Sequence, residues 1–154
     1  NATTSALAAN TWYHVVFQRT GSAWHVFVNG VEQTLTQWTG TTSNSGDWFG
    51  DMSGSNARLT LGVNNASGAI GTIYFNGRMD EVTYFNRSLS SVEVSWLYNG
   101  GTRRNVLTDP DLSSAARIWW RMGDSRDNAT TVFDEIGSND LTLVNMDASN
   151  YVAA

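Results

Sequence analysis

Short runs rich in Val, Ile, Phe, Tyr and Trp recur along this chain, broken by glycine and asparagine. The first is Trp12–Arg19 and the second Ala23–Asn29, with Thr20-Gly21-Ser22 between them. Such runs around a turn-forming break predict a β-hairpin. A loop of two or four residues places Tyr13, Val15 and Phe17 on one face with Trp24, Val26 and Val28, the expected core side. Trp12, His14, Val16, His25 and Phe27 fall on the other face. That face is apolar enough to predict a sheet covered on both sides or a curved binding surface. Asn29-Gly30 is a type I′ turn pair leading into a strand over Val31–Thr36. Arg58–Val63, Ile70–Phe75 and Arg78–Phe85 read as further strands, with a turn over Asn64–Ala69 and a second I′ pair at Asn76-Gly77. Arg117–Met122, Thr131–Phe133 and Leu141–Asn145 complete a set of nine or ten. The pattern predicts an all-β antiparallel sandwich.

One short helix interrupts it near 90–98. Ser90-Ser91-Val92-Glu93 has the spacing of a capping box, with Ser90 as N-cap and Glu93 three positions on. Leu89 is placed to staple onto Val94, and Val92, Trp96 and Leu97 form the expected apolar stripe. Asn99-Gly100-Gly101 supplies the stop. The organisation expected is a lead-in over 1–10, a body over 11–101, a polar connection over 102–115 holding the sole proline, and strands over 116–154. Those last strands either complete the sandwich or open a tandem copy. Residues 37–56 show no periodicity; turn formers there carry Trp38, Asp47, Trp48, Phe49 and Asp51, and so long a loop in a compact domain is usually functional.

Composition narrows the function. In 154 residues there is no cysteine, which excludes disulfides, zinc-thiolate sites and a thiol nucleophile. All nine basic residues are arginine, and the formal net charge is −5. So few cations do not build a phosphate-binding surface, so nucleic acid is not an expected partner. No apolar run approaches the ~20 residues that cross a bilayer, so no membrane insertion is expected. Four glycosylation-type triplets, at Asn1, Asn65, Asn86 and Asn128, are no more than this Asn-, Ser- and Thr-rich composition supplies by chance.

Four stretches carry a family likeness. Trp12-Tyr13-His14-Val15-Val16 with Val26-Phe27-Val28-Asn29-Gly30, then Leu59-Thr60-Leu61-Gly62, come first. Phe75-Asn76-Gly77-Arg78-Met79-Asp80-Glu81-Val82 and Asn86-Arg87-Ser88-Leu89-Ser90, the latter with Glu93 and Leu97-Tyr98, follow. In this order they resemble the laminin-G-like, concanavalin A-like jelly rolls. The later stretch Trp119-Trp120-Arg121-Met122-Gly123-Asp124, with Asp134, Gly137-Ser138-Asn139 and Leu141–Asn145, is similar to the motif that usually opens such a domain, and here it follows the body. The cluster also resembles laminin-G-like modules of tailed-phage virion proteins.

That resemblance implies a binding or structural module in place of an enzyme. Glucanases of this fold use carboxylates at alternate positions of one strand, and no such run occurs; Asp80-Glu81 and Asp134-Glu135 are adjacent, so on a strand they point to opposite faces. G-x-S-x-G, H-E-x-x-H and phosphate-cradling loops are absent from the sequence too. The ligand-binding candidates are Trp38, Asp47, Trp48, Phe49 and Asp51, since aromatic faces stack on sugar rings and equally anchor protein interfaces. Asp80 and Asp124 are the metal candidates: relatives place an acid near Asp80 on a structural Ca²⁺ or against an arginine. The alternative for Asp80 is backbone amides, Arg78 or Arg121. His14 and His25, if diagonal on the hairpin, would hold a metal with a third ligand, but no third ligand presents itself. No other cofactor is expected. The expected setting is a virion surface or the extracellular space, and the expected partners are other virion or surface proteins, in a homo-oligomer or larger assembly, or glycans. A capsid decoration or fibre component comes first, a secreted carbohydrate-binding module second and a glycoside hydrolase third.

Overall fold

A computed structural model describes residues 2–3, 7–36, 59–66 and 69–144. Contacts within the chain divide it into two compact units, Asn1–Arg78 and Met79–Ala154. Among the described residues every strand pair is antiparallel, so the all-β reading holds, and the helices described are short ones in the second unit.

The first unit contains β1 (Ala2–Thr3), β2 (Val15–Thr20), β3 (Ala23–Val28), β4 (Val31–Glu32) and β5 (Leu35–Thr36). β2 and β3 form the predicted hairpin, in the register Val15↔Val28 to Thr20↔Ala23. Its loop is Gly21-Ser22, and Gly21 takes φ +59, the left-handed value that a II′ turn needs at its first central position. Asn29 and Gly30 both have positive φ, +50 and +77, as a I′ turn demands, and the Asn29 carboxamide oxygen accepts from the His14 N–H at 3.0 Å. The expected strand over Val31–Thr36 is broken: β4 pairs with β3, while β5 pairs with β1.

The expected core side of the hairpin is corrected in part. Val26 on that side is buried, but Phe17 opposite it is 65% exposed, and Phe27 and Gln18 on the other face are buried as well. Apolar residues occupy both parities here, so alternation could not choose the inside face.

β6 (Val63–Ala66) and β7 (Ala69–Tyr74) pair with each other. Strand structure therefore begins at Val63, where the sequence suggested an end, and Asn64–Ala69 is not simply a turn. A register shift sits between Val63 and Asn65. The Asn64 carboxamide oxygen accepts from the Ile73 N–H at 2.9 Å and lies 2.1 Å from where a Cβ on residue 71 would stand. A side chain at residue 71 would push the Asn64 carboxamide out of that hydrogen bond. Asn76-Gly77 does not make the predicted I′ hairpin: neither residue has positive φ, and β7 has β6 as its partner.

The second unit holds β8 (Val82–Phe85), α1 (Ser91–Tyr98), α2 (Pro110–Ala115), β9 (Ala116–Trp120), β10 (Thr131–Val132) and β11 (Leu141–Thr142). β8 pairs with β9, and β10 with β11. α1 starts at the predicted capping box: the Ser90 hydroxyl accepts from the Glu93 N–H at 3.2 Å, and Glu93 Oε2 accepts from the Ser90 N–H at 2.7 Å. Asn99 ends it at φ +44. The expected stripe is rotated, since Val92 is 77% exposed and Val94 and Leu89 are buried. α2 was not predicted in the connection; Asp109 caps it through its carboxylate, accepting from Asp111 and Leu112 N–H at 3.0 Å, and Pro110 occupies its first turn, where a missing N–H costs nothing. Leu112, Val94, Val106, Ala115, Ala116, Trp119, Trp120 and Val132 are buried and form the core of this unit.

Arg87 fastens the start of α1. Its guanidinium donates to both oxygens of Glu93, at 3.1 and 2.5 Å, and to the Asp111 carbonyl at 3.3 Å. The bidentate pair, aided by the Ser90 donors, holds the Glu93 carboxyl at about 2, down from its ordinary 4.5. A depressed acid stabilises the fold fully above its unfolded value, and that contribution disappears as pH falls from 4.5 through about 2. After discounting for solvent screening of a surface pair, Glu93→Gln is expected to cost about 1 kcal/mol at neutral pH and almost nothing at the acid end. Urea unfolding of both chains at the two pH values measures this; an equal loss at both would remove the ion pair from the account.

Candidate functional site

Two places in the described residues have the makings of a site, one in each unit. In the first unit, Val15 and Phe17 project from one face of β2, at register positions opposite Val28 and Val26. Both are exposed, as are Val31 on β4 and Trp12 just before β2. On β7, Ile73 is 71% exposed and Tyr74 more than half. Aromatic and branched side chains standing on strands have little conformational freedom left to lose, so covering them yields most of their transfer free energy. Exposed apolar residues such as Val15 and Phe17, on one face of β2, are the kind that contact surfaces use.

The histidines do not form a metal pair. His25 stands opposite Gln18, and His14 exchanges its backbone bonds with Asn29, four steps along the hairpin. At ~3.3 Å per residue that separates them by roughly 13 Å. His25 Nδ1 instead meets Glu32 Oε1 of β4 at 2.6 Å. Burial lowers the pKa of His14, favouring the neutral ring.

In the second unit the charges converge on Glu81. Its backbone is left-handed, φ +53, which costs a residue bearing a Cβ about 1–2 kcal/mol. Side-chain bonds hold it there. Trp119 Nε1 donates to Glu81 Oε2 at 2.8 Å, and Arg121 Nε donates to Oε1 at 3.3 Å. Arg103 Nη1 lies 3.7 Å from the same oxygen and 3.6 Å from Asp80 Oδ2. Arg121 also pairs with Asp124 at 3.0 Å, and its guanidinium stands 5.2 Å from the Trp119 ring centre. Met122, between them in sequence, is left-handed as well.

Burial raises the pKa of Glu81 and outweighs the Trp119 and Arg121 donors that oppose it. Burial likewise raises Asp80, against the Arg103 charge and the Glu81 N–H, with Asp124 adding like-charge repulsion. For carboxylates shifted upward the folded state gains as pH falls through the raised value, so neither group is a source of acid weakness. The arrangement interleaves carboxylates with guanidiniums and ties residues 80–81 to Arg103 and to the 119–124 segment. Asp80 therefore faces Arg103, which the sequence did not suggest, but it also accepts the Glu81 N–H and feels the Arg121 charge, both among the alternatives the sequence offered, and Asp124 faces Arg121. Calcium needs six to eight oxygens. Among the described residues no group of three or more His, Asp or Glu side chains is placed to hold a metal ion.

Sequence reasoning placed Asp134 in the family-like motif but missed its role; it is 4% exposed. Its Oδ1 accepts the N–H of Trp119 and of Ile136, each at 3.0 Å, and its Oδ2 accepts the Asn139 N–H at 3.2 Å. Burial would raise this carboxyl; the N–H groups of Trp119, Ile136, Asn139 and Gly137 outweigh it and hold the pKa below the ordinary range. Asp140 accepts the N–H of Asp134 at 2.9 Å, and Trp120 Nε1 donates to the Asn139 carbonyl at 2.7 Å. The signal was present in the D-x-I-G-S-N run, where a short acid before glycine and asparagine suits a carboxylate-centred loop. Trp38, Asp47, Trp48, Phe49 and Asp51 lie outside the described residues.

Among the described residues no helix is long and apolar enough to cross a membrane. No curated protein and no solved structure matches the chain. Residues 1–95 match the Laminin_G_3 family model, described as the concanavalin A-like lectin/glucanases superfamily. That span covers the β2–β3 hairpin and the capping box of α1, two of the stretches that carried the resemblance. A laminin-G-like domain is in general a binding module, although the superfamily also contains glycosidases. With more than half of its length matched, this chain belongs to the Laminin_G_3 family of concanavalin A-like domains.

Proposed function

We propose that this domain is a non-catalytic binding or structural module of a virion or extracellular surface protein, first of all a phage capsid decoration or fibre component that contacts its own copies or neighbouring proteins. The exposed Phe17 face of β2 carries this reading. A chain with only 15% charged residues, no lysine and exposed aromatic strand positions carries sparse charge and offers apolar area to cover. The carboxylates of the second unit support it too: Glu81 and Asp124 face guanidiniums, and Asp134 is bound to backbone amides.

A secreted carbohydrate-binding module is the alternative, favoured by the aromatic and acidic residues of 37–56 in the sequence. Sedimentation of the purified chain and of Phe17→Ser, beside a glycan array, separates the two. Self-association weakened about tenfold by Phe17→Ser, with no glycan bound, is the expected result. Glycan binding abolished by Trp48→Ala would transfer the function to the loop, and release of reducing sugar would end both readings.

A further inference from the structure

We propose that Asn76 is a site of spontaneous deamidation, selected by the fold from three Asn-Gly pairs. Those pairs are Asn29-Gly30, Asn76-Gly77 and Asn99-Gly100. Glycine after asparagine leaves the next backbone nitrogen unhindered, because no Cβ shields it. In the reaction the Gly77 nitrogen attacks Cγ of Asn76 and gives up its proton to solvent. The Cγ–Nδ2 bond breaks, ammonia departs, and a cyclic imide remains. Water then opens either carbonyl, leaving aspartate or isoaspartate at position 76. One water is consumed, one ammonia is released, and nothing is oxidised or reduced.

The three pairs are equivalent in sequence and differ in structure. Asn29 is left-handed, and its Oδ1 is held by the His14 N–H at 3.0 Å. Asn99 is left-handed too; its Oδ1 accepts from Arg104 Nη2 at 2.8 Å and its Nδ2 donates to the Thr102 carbonyl at 3.2 Å. Both carboxamides must break hydrogen bonds before Cγ reaches the following nitrogen. Asn76 is exposed, lies outside helix and strand, and has no positive φ. Among the described residues neither its carboxamide nor the Gly77 N–H makes a hydrogen bond. A Cβ at position 77 would stand 2.6 Å from the ring of the exposed Phe75, which would have to move aside for it. The change adds one negative charge to a chain already at −5, two residues before Arg78, where the first unit ends. The isoaspartate product also lengthens the backbone by one methylene there.

The test is incubation of the folded protein in mildly alkaline buffer, cleavage after arginine and mass measurement of the peptides. The three pairs fall on separate peptides, 20–58, 59–78 and 88–103, and fragment masses distinguish Asn76 from Asn64 and Asn65. In the folded chain Asn76 is expected to convert about tenfold faster than Asn29 or Asn99, since their bonds must open first. In urea the three rates should converge, and Asn76→Gln should remove the fast component. Equal rates in the folded chain, an earlier change at Asn29 or Asn99, or an unaltered 59–78 peptide would each overturn the proposal.

Discussion

Asp134→Ala is expected to destabilise the second unit by about 3–5 kcal/mol, because it strips the acceptor from several buried N–H groups at once. The N–H groups of Trp119, Ile136 and Asn139 all end on this carboxylate. They come from β9 and from the loop that follows residue 134, so one side chain closes both pieces of backbone. Gly137 sits close by: a Cβ there would stand 3.1 Å from Asp134 Oδ2. Asp134→Asn should fall between the two, since its one remaining carbonyl oxygen faces several donors and its new NH2 group meets N–H groups. The pH dependence has a definite sign. The folded pKa is lowered, so the contribution is complete above the ordinary carboxylate range and is lost as pH falls through the lowered value. Urea midpoints across pH measure it. A loss below about 1 kcal/mol for Asp134→Ala would mean that the loop is not closed in this way.

Trp119→Ala is expected to cost a similar amount, about 3–5 kcal/mol, chiefly from the cavity left in the core. The side chain is 3% exposed, on a strand whose neighbours Ala116 and Trp120 are also buried. Trp119→Phe isolates the polar part: the ring bulk largely remains, but the indole N–H to Glu81 is gone, for a cost of about 1–2 kcal/mol. Glu81 would then hold its left-handed backbone with the Arg121 and Arg103 contacts alone. Because Asp134 accepts from the amide of Trp119 itself, combining the two alanine substitutions should cost less than the two taken separately. Strict additivity in that double variant would show that carboxylate and indole support different structures.

The elements legible in the sequence are those whose cause lies within a few residues. The β2–β3 hairpin, the I′ pair at Asn29-Gly30 and the capping box of α1 all follow from turn and cap chemistry, and all are found. The Asn76-Gly77 pair has the same letters as Asn29-Gly30 and a different conformation, because β7 and β8 pair with other strands. Turn propensity proposes a hairpin, and strand partners decide it. The rotated stripe of α1 and the exposed Phe17 have a related origin: a helix this short and a hairpin apolar on both sides each leave the buried face to their surroundings.

Of the candidate site residues, Asp80 and Asp124 were named from the sequence, and Arg121 was among the partners suggested for Asp80, but Arg103 was not. Arg103 lies more than twenty positions from Asp80, and no local pattern links Glu81 to Trp119. By itself the sequence determined the class of fold, the principal turns, the helix start and the absence of thiol chemistry, since these depend on side-chain type and near neighbours. Tertiary structure alone decided which strands pair beyond the β2–β3 hairpin, which face is buried, that Arg103 joins the acidic cluster, and that Asp134 anchors backbone. Those outcomes turn on which distant residues meet when the chain collapses, and burial changes the energy of a charge or an amide by more than local preference can.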